Sequence, residues 1–220
     1  MLKAALFDMD GVIVNTEPLH HKAYYSMFET IGIDVPLSHY QTYTGRSTIN
    51  TCKGICEHFN LPNNPEELVA LKRKAFKAQF LNDPELDLLP GVLDLIKDLY
   101  SNNITLVLAS SASNVTINDV FTRFDLNQYF KGKISGADLA ASKPHPEIFQ
   151  RAAEIAETPT ENCMVIEDST SGIKAAHAAG IYCVAFKSPH SKNQDYTLAN
   201  KVISDYSEIH FEKIKSEFIR

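Results

Sequence analysis

No apolar run in these 220 residues approaches the roughly 20 needed to cross a bilayer, so no membrane partner is expected. Basic charge is also scarce: 21 Lys and Arg stand against 27 Asp and Glu, a formal net charge of −6. A phosphate-backbone binder needs a clustered basic face, so no nucleic-acid partner is expected either. No G-x-G-x-x-G follows a strand-like run, which removes dinucleotide binding. Cys52, Cys56, Cys163 and Cys183 have no zinc or redox spacing, and reduced thiols fit an intracellular compartment. Cys52 and Cys56 stand one helical turn apart, a spacing that suits packing on one face. The first residues enter a strand-like segment without a basic region and a cleavable apolar stretch, so a cytoplasmic location is the expectation. Repeats, low-complexity segments and coiled-coil heptads are missing too, and nothing fixes an oligomeric state. An acidic balance still permits an anionic substrate, because a bound cation inverts the local field.

What is present is an ordinary globular composition, 44% apolar, long enough for a core domain with a smaller insertion. Residues 3–8 read as a short strand buried on both faces, since apolar residues run without polar alternation. A helix from about Pro18 to Ile31 follows, ending near Gly32. Residues from about 38 to 80 remain helical in character, punctuated by Pro36, Pro62 and Pro65, with Leu68, Leu71, Lys72, Ala75 and Phe76 at helix spacing.

After Leu89-Pro90-Gly91 the pattern alternates. A helix at about 91–101 leads to a strand at Ile104–Ala109 and a helix after Ser113. A strand at Lys133–Gly136, a helix from Pro146 and a strand at Cys163–Glu167 come next. A helix from Ser169, a strand at Ile181–Phe186, a short strand at Val202-Ile203 and a closing helix over 207–219 complete the series. Alternation of this kind predicts an α/β fold, a doubly wound (Rossmann-like) parallel sheet covered on both faces. The expected division is a core of residues 1–16 and 86–220, with residues 17–85 inserted after the first strand as a helical cap domain.

Doubly wound sheets bind ligands beyond the carboxyl ends of their strands, and those ends carry polar residues here. Asp8 and Asp10 follow the first strand, Ser110 and Ser111 the second, and Glu167 and Asp168 the fourth; Lys143 precedes a helix. Each has an ordinary reading of its own. Asp-x-Asp-Gly can punctuate a turn, Ser110–Ser113 can cap a helix, Lys143 can be solvated, and Glu167-Asp168 can complement a helix start. Together they crowd four acids at one end of a sheet. Two like charges 4 Å apart repel by roughly 4 kcal/mol at an effective dielectric of 20, so a cation or protonation is required. Oxygen-only ligands beside a phosphate site favour Mg²⁺. Free backbone N–H groups at Ser110 and Ser111, with the Lys143 charge, suit a phosphoryl group.

The series Asp8-x-Asp10-Gly11, Ser110, Lys143-Pro144 and Glu167-Asp168 is similar to the four motifs of the haloacid dehalogenase-like superfamily. The likeness extends over essentially the full chain, through Asp168-Ser169-x-x-Gly172-Ile173 and on to Gly180. Thr16-Glu17-Pro18-Leu19-His20, Leu89-Pro90-Gly91-Val92 and Ser142-Lys143-Pro144-His145-Pro146 resemble the branch that holds β-phosphoglucomutase and small sugar-phosphate phosphatases.

That resemblance implies roles. Asp8 would be the nucleophile that forms an aspartyl-phosphate, and Asp10 the general acid and base. Mg²⁺ would be held by the Asp8 carboxylate, the Asp10 carbonyl and Asp168, with Glu167 directly or through water. Ser110, the Ser111 amide and Lys143 would bind the phosphoryl oxygens. The cap would close over the substrate, with His20, Gly45 and Arg46 as candidate contacts. Dehalogenases and phosphonatases lack the second Asp, so Asp10 argues against both.

A small phosphorylated metabolite, most simply a sugar phosphate, is therefore the expected partner, and hydrolysis the expected reaction. A phosphohexomutase is the alternative. In the mutases resembled, a lysine precedes the cap glycine and an arginine lies three residues after it; this chain has Thr44 and Thr48 there, with Arg46 displaced. A phospho-accepting switch would need neither a long insertion after the first strand nor an acid two residues beyond the acceptor. A silent binding module would have lost Asp8, Asp10 or Lys143.

Overall fold

A computed structural model describes residues 1–43, 46–188, 191 and 193–219. Six parallel strands form one sheet: β1 (Ala4–Phe7), β2 (Thr105–Ser110), β3 (Phe130–Ser135), β4 (Cys163–Glu167), β5 (Tyr182–Phe186) and β6 (Lys201–Ile203). Their order is β3-β2-β1-β4-β5-β6. The chain builds outward from β1 in one direction, then returns to build outward in the other. The reversal lies between β1 and β4, the crevice where a doubly wound sheet takes its ligand. The sheet is the one the alternating pattern predicts.

β1 is Ala-Ala-Leu-Phe and wholly buried, which is why it carries no polar alternation. Its register aligns Phe7 with Leu108 of β2 and with Ile166 of β4. The next residues, Asp8, Ala109 and Glu167, therefore come level at the carboxyl edge. The Asp8 amide continues the ladder by donating to the Ile166 carbonyl at 3.0 Å. Helices α5 (Val92–Ser101), α6 (Asn114–Arg123), α7 (Glu147–Ile155) and α8 (Thr170–Ala178) cross between strands. Ser113 caps α6 and Ser169 caps α8, each side chain accepting an amide of the first turn. Ile148, Phe149 and Ala152 of α7 and Ile173 and Ala176 of α8 pack against Leu6, Val107 and Val165 of the sheet.

The chain divides into two compact units, Met1–Asn15 with Asp87–Arg220, and Thr16–Leu86. The second is helical: α1 (Glu17–Ile31), α2 (Leu37–Tyr40), α3 (Thr48–Phe59) and α4 (Pro65–Asn82). Pro18 sits in the first turn of α1, and Gly32 ends that helix in the left-handed conformation that glycine tolerates. Tyr24, Phe28, Tyr40, Cys52, Ile55 and Leu68 form this unit's own core. Cys52 and Cys56 are free thiols on α3, Cys52 buried and Cys56 half-buried, as packing on one face requires.

Two expectations are corrected. The strand expected at Lys133–Gly136 starts earlier, at Phe130, whose ring packs edge-on against Phe7 and Phe121; it ends at Ser135, and Gly136 opens a 3₁₀ turn. The closing helix expected over 207–219 is three short pieces: a 3₁₀ turn at Tyr206–Ile209, α9 (Phe211–Ile214) and a 3₁₀ turn at Lys215–Phe218. His210 is extended between the first two, and the Phe211 amide donates to Asp98 Oδ2 of α5 at 2.6 Å. A contact from outside the segment outcompetes helix continuation. Among the described residues, no helix is long and apolar enough to cross a membrane.

Candidate active site

Asp8 and Glu167 stand at adjacent strand ends and Asp168 one residue beyond, all three buried. One carboxylate oxygen from each lies within 4.8 Å of the others. Burial is the main reason the Asp8 carboxyl rises to about 7; Lys143 opposes it, while Glu167 and Asp10 push in the same direction. Asp168 is raised for the same reasons, burial first and then Glu167 and Asp8.

Lys143 holds this cluster together. Its Nζ donates to Asp8 Oδ1 at 2.6 Å, to Glu167 Oε1 at 2.7 Å and to the Ala109 carbonyl at 3.1 Å. Three acceptors match the three hydrogens of an ammonium. The side chain is 5% exposed, and its cation also lies 4.9 Å from the centre of the Phe149 ring. Burial alone would lower the Lys143 pKa, but Asp8 and Glu167 outweigh it and keep the ammonium charged. One cation thus faces three carboxylates, an excess of two negative charges when all are ionised.

Glu167 is held on both oxygens. Besides Lys143 on Oε1, its Oε2 accepts from the Asp168 amide at 2.8 Å, the Ser169 amide at 2.9 Å and Ser169 Oγ at 3.0 Å. Backbone glycines make the room. A Cβ on Gly172 would overlap the Glu167 carboxylate, and one on Gly11, whose φ is +82°, would overlap that of Asp168.

Asp10 is half-buried in the turn after β1, where it bridges to Val14. It is not among the carboxylates that converge, though its charge acts on Asp8. Of the four acids expected to crowd this end of the sheet, Asp10 stands apart because the strand ends at Phe7 and Asp10 belongs to the turn that follows. Ser110 ends β2 and is buried, its Oγ accepting the Ala112 amide at 3.1 Å; Ser111 is exposed. The same loop is tied by Ser135 Oγ, which donates to the Ala112 carbonyl at 2.7 Å.

The remaining expected residues lie in the helical unit. His20 on α1 stacks on Phe76 of α4, with ring centres 4.5 Å apart, and its Nδ1 is 2.5 Å from Lys72 Nζ. Lys72 is buried, and its ammonium also lies over the Tyr24 and Phe76 rings. Helix spacing placed Lys72 on the inner face but did not mark its charge as internal. Arg46 is exposed, its guanidinium 5.3 Å from the centre of the Tyr43 ring. Gly45 lies outside the described residues.

Sequence reasoning left Ser169, Ser191 and the Ala109 carbonyl without roles. Ser169 had a visible signal, a hydroxyl at a helix start directly after two acids. The other two had none, since a backbone carbonyl has no residue signature and Ser191 reaches Asp168 through folding alone.

Comparison with known proteins gives the family. The model of the family described as haloacid dehalogenase-like hydrolase matches residues 5–186. Suppressor of quenching 1 of Arabidopsis thaliana, a chloroplastic protein, is 30% identical over 200 residues; the alignment covers 87% of this chain, which spans 18% of that protein's length. Hexitol phosphatase B of Escherichia coli O157:H7 is 28% identical over 207 residues, covering 94% of this chain and 93% of its own. The crystal structure of β-phosphoglucomutase from Clostridium difficile superposes with a TM-score of 0.84 at 27% identity, covering 99% of this chain and 97% of that one. With the parallel sheet, the acids at its switch point and a family match running from β1 through β5, this chain belongs to the haloacid dehalogenase-like hydrolases.

Proposed function

We propose that the protein is a Mg²⁺-dependent phosphatase acting on a small phosphorylated sugar through an aspartyl-phosphate on Asp8, as a soluble cytoplasmic enzyme. The observation that carries this reading is the charge count at the strand ends: three buried carboxylates against one lysine. The donors are all oxygen and the excess is two charges, which suits a hard divalent ion. Asp8 and Asp168, with the Asp10 carbonyl and Glu167, would hold Mg²⁺, which when bound neutralises charge on the phosphoryl oxygens.

In the first step an Asp8 oxygen attacks phosphorus, the ester P–O bond breaks, and Asp10 gives its proton to the leaving sugar oxygen. Lys143 occupies Asp8 Oδ1, which fixes the rotamer and leaves the other oxygen to attack. In the second step Asp10 takes a proton from water, water attacks phosphorus, and the bond to Asp8 breaks to release phosphate. Ser110, the Ser111 amide and Lys143 would orient the phosphoryl group, because this chemistry depends chiefly on positioning and charge stabilisation. His20, Gly45 and Arg46 would act in the choice of leaving group.

The mutase reading is favoured by the likeness to the Clostridium difficile enzyme. Incubation with β-glucose 1-phosphate and a trace of the bisphosphate separates the two. Phosphate released in step with substrate lost supports the phosphatase; glucose 6-phosphate without phosphate release supports the mutase. A panel of phosphorylated sugars, phosphoglycolate and nucleotides then identifies the substrate. Failure to release phosphate from any of them, with no isomerisation, rejects both.

The Asp8 shift gives the cation a pH signature. A carboxyl near 7 in the fold and near 4 unfolded binds its proton more tightly in the native state. Its stabilising contribution is full below about pH 4 and lost as pH climbs through about 7. Mg²⁺ at about 100 times its Kd should return roughly 2.7 kcal/mol at pH 8, a Tm rise of roughly 5–10 °C, and far less at pH 5. Thermal scans in Mg²⁺ and in EDTA at both pH values check this; equal shifts would count against Asp8 as a ligand.

A further inference from the structure

Asp168 has a partner outside the four motifs. Ser191, in the segment after β5, donates its hydroxyl to Asp168 Oδ2. The hydroxyl and the carboxylate both lie close to Gly11, and a Cβ on that glycine would sit 3.1 Å from Ser191 Oγ. Three residues on, Gln194 Oε1 accepts from the Thr170 amide at 2.8 Å and from Thr170 Oγ1 at 2.9 Å. Thr170 Oγ1 in turn accepts the Asp195 amide at 2.8 Å. Thr170 is the first residue of α8, so these bonds flank the acidic pair on its helical side. The ends of the segment are fixed to the sheet: the Lys187 amide donates to the Ile203 carbonyl at 2.7 Å, and the Asn200 amide to the Cys183 carbonyl at 2.9 Å.

We propose that Ser191 and the stretch 193–195 act as a strap that sets the metal affinity of the site: Ser191 holds one Asp168 oxygen, and Gln194 fixes the strap to the start of α8. The inference rests on the Mg²⁺ reading above and adds residues to it. Asp168 is buried beside two other carboxylates that repel its own, and the hydroxyl bond holds it in place. Ser191 is a positioning residue, since it acts through Asp168. Coupling is reciprocal, so a cation that draws on Asp168 also orders the strap.

The test uses the full chain and Mg²⁺ alone, without substrate. Calorimetry should show Ser191→Ala weakening Mg²⁺ binding by about tenfold or more, the usual cost of removing a hydrogen bond to a metal ligand. Gln194→Leu should weaken it by a smaller factor. Hydrogen exchange at the amides of residues 193–197 should slow when Mg²⁺ is added to the wild type, and not in Asp168→Asn. The Tm of Ser191→Ala in EDTA should fall by no more than about 5 °C, the cost of one hydrogen bond, which separates ligand positioning from unfolding. A Kd within twofold of wild type for Ser191→Ala, or exchange indifferent to Mg²⁺, overturns the strap while leaving the metal reading intact. A folded wild type that binds no Mg²⁺ overturns both.

Discussion

Asp8→Asn is expected to lower Mg²⁺-dependent hydrolysis of p-nitrophenyl phosphate by on the order of 10⁴-fold or more, as loss of a covalent nucleophile does. The amide keeps the size of the carboxylate and an oxygen that can accept from Lys143, but it cannot attack phosphorus. Stability should move the other way. Asp8 is held near 7 because ionisation in this buried, acid-lined position is unfavourable, and a neutral side chain removes that cost. In EDTA at pH 8 the variant should therefore melt at or above the wild-type temperature. Rate constants and thermal scans on the same preparation check both signs. Retained activity ends the nucleophile assignment; a large fall in Tm ends the account of the Asp8 environment.

Lys143→Met should produce the opposite pair of effects on stability. The methionine keeps most of the volume beside Phe149 but withdraws the cation that joins Asp8 to Glu167. Removing one member of a buried charge pair costs roughly 3–5 kcal/mol, because the partners stay buried without it. At roughly 2–4 °C per kcal/mol the Tm in EDTA at pH 8 should fall by roughly 6–20 °C. The deficit should shrink at pH 5, where Asp8 takes up its proton, and should shrink again when Mg²⁺ is added at pH 8. Activity should be lost as well, since the same ammonium is assigned to the phosphoryl group. A variant that melts at the wild-type temperature at pH 8 would mean that Lys143 does not balance the cluster.

The contrast between these two variants marks what could be read from the sequence. The sheet was legible because its strands are uninterrupted apolar runs: Ala4–Phe7 and Cys163–Glu167 are buried on both faces and need no tertiary information to be recognised. Helix starts at Ser113 and Ser169 were legible because a hydroxyl must satisfy the first amides. The crowding of Asp8, Glu167 and Asp168 followed from strand ends meeting on one edge. What one residue string does not state is how the hydrogen bonds are distributed. Glu167 reads as a ligand, yet four donors already engage its two oxygens. Lys143 reads as a phosphate-binding charge, yet it also closes an internal network with a strand carbonyl. The tail was misread for a related reason: Ile209, Ile214 and Phe218 are all buried as a helix would require, but His210 is drawn into extended backbone next to the Asp98 contact.

The level register of the central strands has a consequence for synthesis and folding. Lys143 meets Asp8 across 135 positions of chain, and Glu167 lies a further 24 along. Parallel pairing brings such distant groups together only after the intervening crossovers have closed, and contacts of that range are formed slowly. A nascent chain that ends before β4 therefore has Asp8 but neither of the acids that complete the cluster. The cluster is complete only once β1 and β4 have paired, so the site belongs to the assembled sheet and not to its first strand.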